Sequence, residues 1–236
     1  MKFKPTILLG LFLPMVTLTA AKDKNPGHLK MGLVNIKCIY SDTPDPSANQ
    51  AAIQTNLDRH LYFIDKLAAE GVEFIGFPEA SVNGYRWSAD MTWLSPDGPE
   101  VGILKKKAAE KGVYIAAGIA EQDTDGKRWE NHFVIGPDGK IAGFHRKNWL
   151  TKEKGFIEAS RDHNVFEVKG AKMGIVICAD GTDFRNLKRG NRGQSFIISL
   201  RIASSAFRSS LSLSALMRIF RVARHDNRGG FRRDKM

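Results

Sequence analysis

A long amphipathic helix followed at once by a short apolar segment is the feature that most constrains the fold. Between residues 47 and 70, apolar side chains recur at helical spacing, and Gly71 ends the run. Residues 72–77 are apolar except Glu73, which predicts a strand buried on both faces. Alternating helices and strands of this kind require crossover connections and a sheet with helices packed against it. The sequence therefore predicts an α/β fold.

The same alternation continues along the chain. A second helix is predicted over residues 99–111, and Gly136-Pro137-Asp138-Gly139 is a strong signal for a β-hairpin turn. Strand-like patterns cover residues 28–38, 113–120, 129–135, 140–145, 165–169 and 172–178, and residues 194–200 are a further candidate. With 236 residues, of which 42% are hydrophobic, the chain is long enough to bury one large core.

Cys178 lies where a predicted buried strand meets a turn. The apolar residues 174–177 precede it, and residues 180–182 predict a turn into a helix capped by Thr182 or Asp183. A thiol at this elbow is held at a rigid strand end, next to a backbone amide and a helix start that favour a thiolate and a developing oxyanion. The more common role of a lone cysteine is that of a small buried hydrophobic residue. The catalytic interpretation therefore depends on partners elsewhere in the chain.

Glu79 and Lys147 also follow predicted strands, as Cys178 does. Active sites of sheet-based folds collect at strand ends, so these three side chains are expected to meet in one pocket. Taken singly, Glu79 is more often a solvated loop acid and Lys147 a surface cation. Together they supply a general base, a thiol nucleophile and an ammonium that stabilises an oxyanion. The loop of residues 80–93, rich in Asn, Gly, Tyr and Trp, is expected at the pocket mouth.

Three segments of the chain resemble a known family. Residues 77–85 (FPEASVNGY), 145–150 (HRKNWL) and 174–180 (GIVICAD) are similar to the three signature blocks of the nitrilase superfamily of carbon-nitrogen hydrolases. Residues 131–143 also resemble the segment that precedes the lysine in that family. The blocks occur in the family's order, and the resemblance runs from about residue 28 to about residue 188.

The resemblance implies a fold and a set of roles. The fold would be an α-β-β-α sandwich of the nitrilase type. By the same resemblance Glu79 is the general base, Lys147 stabilises the oxyanion and Cys178 is the nucleophile. Glu153 matches the family's second, supporting glutamate, although its distance from Lys147 is left open by the sequence.

The resemblance also implies a substrate with a non-peptide carbon–nitrogen bond. Family members hydrolyse nitriles, amides, carbamoyl compounds or ureides through a thioester-type acyl-enzyme. True nitrile hydrolysers usually carry Trp-Glu after the cysteine, whereas this chain carries Ala179-Asp180, which favours an amide or carbamoyl substrate. Tyr85, Trp87 and Trp93 are candidates to shape an apolar acyl pocket, although aromatic loop residues more often only pack. No metal or cofactor is implied, and the six histidines lack metal-ligand spacing.

Residues 1–21 have the composition of a secretory signal peptide. Lys2 and Lys4 precede an apolar segment at residues 7–18, and small residues at 19–21 come before charged ones. An uncleaved membrane anchor is the alternative, but the segment is short for a membrane span. We therefore expect export to the periplasm or extracellular space, with no stable membrane anchor after cleavage. Export would permit a disulfide between Cys38 and Cys178, the only cysteines of the chain.

The positive charge of the chain lies in its C-terminal part. The net charge is +11, yet residues 1–184 carry 23 basic and 23 acidic side chains, whereas residues 185–236 carry 13 basic and 2 acidic ones. Lysine predominates before residue 185, and arginine and serine after it. A basic arm that binds nucleic acid is one explanation. A change of reading frame near Gly190 fits the interleaved apolar residues better, so no nucleic-acid partner is predicted.

These patterns divide the chain into three segments: a signal peptide (1–21), an incomplete carbon-nitrogen hydrolase domain (22–190) and an atypical Arg/Ser-rich tail (191–236). From Arg201 onward the sequence does not resemble the strands, helices and oligomer-forming tail that follow in the family. A homo-oligomer is therefore expected only with an intact C-terminus. Two hypotheses remain: an exported, amidase-like hydrolase, and a catalytically inactive, truncated or frameshifted family member with a basic tail.

Overall fold

The computed structural model describes residues 28–88, 90–162 and 164–182, together with the backbone of strands at residues 196–200 and 216–223. Its elements are β1 (His28–Asn35), α1 (Pro46–Ala69), β2 (Phe74–Gly76), α2 (Pro99–Lys111), β3 (Tyr114–Gln122), β4 (Arg128–Ile135), β5 (Ile141–Arg146), β6 (Val165–Val168), β7 (Ala171–Ile177), a 3-10 helix (Cys178–Thr182), β8 (Phe196–Leu200) and β9 (Leu216–Ala223). Every helix and strand predicted before residue 178 is confirmed, with ends shifted by a few residues.

Helix α1 starts at a proline and is capped by the residue before it. The Asp45 carboxylate accepts a hydrogen bond from the Ser47 amide at 3.0 Å, and Pro46 loses no hydrogen bond in the first turn. The side chains at helical spacing form one buried face, which carries Ile53, Leu57, Ile64 and Leu67. Burial of this face, rather than helix propensity, supplies most of the helix's stability.

The strands form two sheets. Six strands lie in the order β5-β4-β3-β2-β1-β9, and three in the order β6-β7-β8. Strands β1, β2 and β3 are parallel, as the intervening helices α1 and α2 require. Strands β4 and β5 extend the sheet as an antiparallel hairpin. The larger sheet therefore has parallel strands joined by helical crossovers at its centre and an antiparallel hairpin at one edge.

Alternation along the central strands separates two cores. Neighbouring residues of a strand face opposite sides of the sheet. One set, which includes Ile75, Ile115 and Phe133, packs with Leu57 of α1 and Leu104 of α2. The other set, Phe74, Ala116 and Val134, packs with Phe166, Met173, Ile175 and Ile177 of the smaller sheet. The described residues thus form a helix layer, the larger sheet and the smaller sheet, in that order.

The C-terminal part contributes backbone to both sheets. Strand β8 lies within the predicted segment 194–200 and pairs in parallel with β7. Strand β9 pairs antiparallel with β1 over the full length of both, from His28↔Ala223 to Asn35↔Leu216. A strand thus lies beyond Arg201, in the segment predicted to be an atypical tail. The predicted signal peptide and the helix predicted after Cys178 lie outside the described residues. None of the described helices combines the length and apolarity needed to cross a membrane.

Candidate active site

The ends of β2, β5 and β7 bring the three candidate catalytic side chains together. Lys147 directly follows β5, Cys178 directly follows β7, and Glu79 lies shortly after β2. The Lys147 ammonium nitrogen lies 3.4 Å from Glu79 Oε2, and these side chains are only 0% and 2% exposed. Burial and the charge of Glu79 raise the pKa of the Cys178 thiol, and the charge of Lys147 lowers it. Glu79 is therefore not a solvated loop acid, and Lys147 is not a surface cation.

Lys147 is surrounded by carboxylates. Its ammonium contacts Glu153 and lies 3.0 Å from Glu130 Oε2. Its backbone is fixed as well, because its amide donates to the Glu130 carbonyl and its carbonyl accepts from the Ser160 amide, both at 2.9 Å. Burial by itself would lower the pKa of Lys147, but the charges of Glu130 and Glu79 raise the pKa above its usual value. The side chain is therefore a fixed ammonium.

Glu153 contacts the Lys147 ammonium and is itself fixed by hydrogen bonds from its neighbours. Its Oε1 contacts the Lys147 ammonium and accepts a hydrogen bond from the Tyr85 hydroxyl at 3.0 Å. Its Oε2 accepts from the Thr151 amide at 2.6 Å and from the Thr151 hydroxyl at 3.1 Å. Burial opposes ionisation of Glu153, but the hydrogen bonds from Lys147 and the backbone lower its pKa to about 2. Glu153 is thus a permanent carboxylate in direct contact with Lys147.

Cys178 occupies a strained turn. Its φ is 43°, in the left-handed region that non-glycine residues avoid. Such a conformation costs about 1–3 kcal/mol and is found preferentially at functional sites. The turn that follows is a short 3-10 helix over Cys178–Thr182. Ala80, directly after Glu79, is also left-handed, with a φ of 45°. Two of the three candidate residues therefore lie at or beside a strained backbone position.

The pKa of the Cys178 thiol is raised, so the expectation of a low-pKa thiolate is wrong for the resting site. Burial is the largest cause, and the Glu79 carboxylate adds to it, while the Lys147 ammonium opposes both. The backbone amide and the helix start are local features of the elbow, whereas the Glu79 carboxylate approaches the thiol from another strand. The thiol therefore keeps its proton at rest, and Glu79 is placed to accept it. Cys38 and Cys178 are both free thiols.

Asp180, in the turn after Cys178, forms hydrogen bonds with the segment that contains Lys147. Its Oδ1 accepts hydrogen bonds from the amides of Asn148 at 3.0 Å and Trp149 at 2.7 Å. Its Oδ2 lies 2.9 Å from Nε2 of His145 and 3.3 Å from the amide nitrogen of Ile177. One buried carboxylate thus bonds to the chain on both sides of Lys147 and to the strand that ends at Cys178. The relative position of thiol and ammonium follows from these bonds.

A sequence model of the carbon-nitrogen hydrolase family matches residues 43–216. The match covers most of the chain and includes every residue of the site. The chain belongs to the carbon-nitrogen hydrolase family. The match also extends past Gly190, into the segment predicted to be an unrelated tail.

Curated carbon-nitrogen hydrolases resemble part of the chain. A nitrilase from Pyrococcus abyssi is 29% identical over 131 residues, which are 53% of this chain and 50% of the relative. An omega-amidase from Xenopus tropicalis is 28% identical over 137 residues, which are 53% of this chain and 49% of the relative. The chain thus spans about half the length of these curated relatives.

Solved structures share the fold. A mutant of the Nesterenkonia amidase, from the nitrilase superfamily, superposes with a TM-score of 0.64 at 15% identity, covering 75% of this chain and 66% of that one. A nitrilase-superfamily member from Saccharomyces cerevisiae gives a TM-score of 0.62 at 21% identity, covering 74% and 65%. Likeness at these identities shows the fold alone, and it confirms the nitrilase-type α/β sandwich expected from the sequence.

Glu130 is a member of the site that sequence motifs do not reveal. It lies on β4 and shares one side of that strand with His132 and Val134. Val134 belongs to the core between the two sheets, so the alternation assigns Glu130 to the interior. A carboxylate at an interior position needs a partner, and that is the signal by which the sequence could have identified it. The Glu130 side chain is only 1% exposed, and its partner is Lys147.

The aromatic residues predicted at the pocket mouth lie beside the carboxylate cluster. The rings of Tyr85 and Trp87 meet edge to face at 5.7 Å, and those of Trp87 and Trp93 lie 6.4 Å apart. The Arg128 guanidinium lies 4.6 Å over the Trp93 ring. Because the Tyr85 hydroxyl bonds to Glu153, this row of rings reaches from the cluster outward. It can therefore form one wall of a binding site.

The carboxylates around Lys147 also meet the geometric requirement for a metal site. Among the described residues, Glu79, Glu130 and Glu153 can each direct one oxygen to within 4.8 Å of the others. The Lys147 ammonium contacts all three. It supplies between them the positive charge that a metal ion would otherwise provide, so the arrangement is explained by the chain's own residues.

Proposed function

We propose that this chain is an amidase-like hydrolase that cleaves a non-peptide amide or carbamoyl C–N bond through an acyl-enzyme on Cys178. The observation that carries the proposal is the buried contact between Lys147 and Glu79, 3.4 Å apart, with the Cys178 thiol close enough for both charges to act on it. A base, a nucleophile and a fixed cation in one buried site are the requirements of acyl transfer.

The first half of the reaction forms a thioester. Glu79 accepts the thiol proton while the Cys178 sulfur attacks the substrate carbonyl carbon, which forms a C–S bond and a tetrahedral oxyanion. The Lys147 ammonium stabilises that oxyanion. The C–N bond then breaks, and the leaving nitrogen takes the proton from Glu79 as ammonia or an amine. The raised pKa of the thiol suits this order, because the proton leaves sulfur only as the nucleophile is needed.

The second half of the reaction releases the acid. Glu79 accepts a proton from water, which attacks the thioester carbonyl, and Lys147 again stabilises the oxyanion. The C–S bond breaks, and the sulfur recovers the proton from Glu79. The net change is the hydrolysis of one C–N bond, with Cys178 and Glu79 returned to their starting states.

Several relatives support an amide substrate. They include omega-amidases and the Nesterenkonia amidase, of which one mutant structure carries the acetamide moiety of fluoroacetamide at the active-site cysteine. A nitrilase is also among the relatives, so a nitrile is the competing substrate. The row formed by Tyr85, Trp87 and Trp93 would contact the acyl group on its way to Cys178.

The inactive-member hypothesis has less support. The family match runs to residue 216, beyond the position proposed for a change of reading frame. Strands β8 and β9 pair with β7 and β1, so the C-terminal part supplies neighbours for strands that would otherwise end their sheets. We also propose export, with removal of residues 1–21, because that segment has the composition of a signal peptide and precedes the first strand, β1.

The decisive experiment compares three substitutions with matched controls. Cys178→Ala, Glu79→Gln and Lys147→Met should each lower kcat for ammonia release from small aliphatic amides by about 10²-fold or more. Double variants should be no worse than single ones, because residues that act as a unit cannot be lost twice. Cys38→Ala, Glu158→Gln and Lys106→Met make the same chemical changes away from the site and should leave kcat unchanged.

Two results would overturn the proposal. Turnover that survives Cys178→Ala would exclude the thiol nucleophile. Turnover of nitriles but not of amides would keep the site and replace the substrate.

A further inference from the structure

Glu130 forms two hydrogen bonds with Lys147, one through its side chain and one through its backbone carbonyl. Its Oε2 lies 3.0 Å from the Lys147 ammonium, and its carbonyl accepts from the Lys147 amide at 2.9 Å. Its Oε1 is buried and has no hydrogen-bond partner within the part of the chain that the structure describes. Glu153, by contrast, also receives hydrogen bonds from Thr151 and Tyr85. Of these two carboxylates, Glu130 is the less able to remain charged.

The charges around Lys147 do not balance if every acid is ionised. Glu79, Glu130 and Glu153 share one ammonium, which would leave two negative charges uncompensated in a buried site. Protonating the least stabilised acid lowers this excess from two negative charges to one. Glu153 is held ionised by its hydrogen bonds, and among the described residues Glu130 is the only one of the three acids with a buried carboxylate oxygen that has no hydrogen-bond partner. Glu130 is therefore the acid that is protonated, on its unpartnered Oε1.

The other titratable groups that face this cluster supply no compensating positive charge. Arg128, on the Glu130 side of β4, places its guanidinium over the Trp93 ring instead. Burial lowers the pKa of His132, which shares the Glu130 side of β4, to about 3, so its ring is neutral. Burial and the Glu79 charge raise the pKa of the Tyr85 hydroxyl, which therefore stays protonated and neutral. The Cys178 thiol is neutral at rest for the reasons given above. His145 is paired with the Asp180 carboxylate instead.

We propose that Glu130 is a positioning residue that works as a neutral carboxylic acid: its Oε2 holds the Lys147 ammonium in place, and loss of its proton sets the alkaline limit of activity. The part about activity rests on the hydrolase function proposed above, whereas the part about protonation does not. A neutral acid holds Lys147 without adding a third negative charge beside the thiol.

The titration of Glu130 has a definite sign. Burial raises its pKa well above the ordinary value of 4.5, the Glu79 and Glu153 charges add to this effect, and the Lys147 charge opposes it. A carboxyl whose folded-state pKa is raised stabilises the fold most below its unfolded-state pKa, and this contribution is lost as the pH rises through the folded-state pKa. Wild-type protein should therefore lose stability and activity together on the alkaline side.

The test compares Glu130→Gln with Glu130→Ala in the full chain. Glutamine keeps the shape and the acceptor oxygen of a neutral acid, so Glu130→Gln should keep much more of kcat at neutral pH than Glu130→Ala and should move the alkaline limb of the kcat–pH profile to higher pH. Glu130→Ala removes the contact and should lower kcat by about 10²-fold with little change in KM, because Lys147 acts in the transition state. Glu79→Gln, which removes the base, should be inactive at every pH.

Two measurements test the protonation without using activity. The melting temperature of Glu130→Gln, relative to wild type, should increase steadily as the pH is raised from about 5 to 9. The infrared spectrum of wild type at pH 7 should contain a carboxylic-acid C=O band that Glu130→Gln lacks. An inactive wild type that still shows both signals would refute the hydrolase function and keep the neutral Glu130. Parallel melting curves, a missing band, or a Glu130→Gln variant as inactive as Glu79→Gln would overturn the inference.

Discussion

Gly118→Ala tests how closely the Glu79 segment is packed on the sheet. Gly118 lies on β3 directly beneath that segment. A Cβ at this position would lie 2.5 Å from the Ala80 amide nitrogen, 2.9 Å from His132 Nδ1 and 3.1 Å from the Glu79 carbonyl carbon. The segment cannot easily move away, because the Val82 amide donates to the Gly118 carbonyl at 3.1 Å.

The size of the effect follows from these distances. Ordinary van der Waals contact begins at 3.4 Å, so the backbone beside Glu79 must move by about 0.9 Å. Overpacking of this kind costs about 1–3 kcal/mol, which lowers the melting temperature by about 2–12 °C in a domain of this size. Catalytic geometry must be held to about 0.5 Å, and a displacement near 1 Å can cost about 10²-fold in rate.

The assay pairs Gly118→Ala with Gly102→Ala. A Cβ at Gly102, on the exposed side of α2, meets nothing within 4 Å. Alanine is favoured over glycine in a helix interior by about 1 kcal/mol, so Gly102→Ala should raise the melting temperature by about 2–4 °C and leave kcat/KM unchanged. Gly118→Ala should lower both. A Gly118→Ala protein with wild-type melting temperature and kcat/KM would refute the packing argument.

Three further predictions concern Glu153, the thiols and the N-terminus. Glu153→Gln should destabilise the protein at neutral pH by on the order of 3 kcal/mol, since the pKa of Glu153 falls from the ordinary 4.5 to about 2. That contribution exists above the unfolded-state pKa and is lost as the pH falls toward 2, so the melting curves of variant and wild type should converge in acid; a gap that is constant with pH would contradict the assignment. Cys178 should react with iodoacetamide faster than Cys38, because Glu79 can accept its proton whereas burial raises the pKa of Cys38 to about 12; peptide mapping that finds equal labelling would count against this. N-terminal sequencing of exported protein should find a start near residue 22, and an intact Met1 on cytoplasmic protein would refute export.

The three candidate catalytic residues are predictable from sequence because each follows a predicted strand. Active sites of sheet-based folds collect at strand ends, and here the strands belong to both sheets. Glu79, Lys147 and Cys178 could therefore be expected to meet although 68 residues separate Glu79 from Lys147. The helices are equally predictable from sequence, because Pro46, Gly71 and Pro99 mark their boundaries.

The electrostatics of the site cannot be predicted from local sequence in the same way. The pKa of Cys178 depends on a carboxylate from a distant strand, and local elbow chemistry gives the wrong direction for it. Glu130 follows no motif, and only the alternation of β4 indicates that it is buried. Asp180 belongs to a recognisable block, yet its hydrogen bonds to residues 145–149 depend on how β5 and β7 lie together. Likewise, no local pattern specifies that β9 pairs with β1.

The most direct test of the account is whether a substrate acyl group resides on Cys178 during turnover. The chain is mixed with a slowly hydrolysed amide, quenched in acid, digested and analysed by mass spectrometry. The account predicts an acyl group on the peptide that contains Cys178, removable by hydroxylamine as a thioester is, absent from Cys38 and absent from the Cys178→Ala variant. Amide hydrolysis that proceeds with no acyl group on Cys178, or that survives Cys178→Ala, would contradict it.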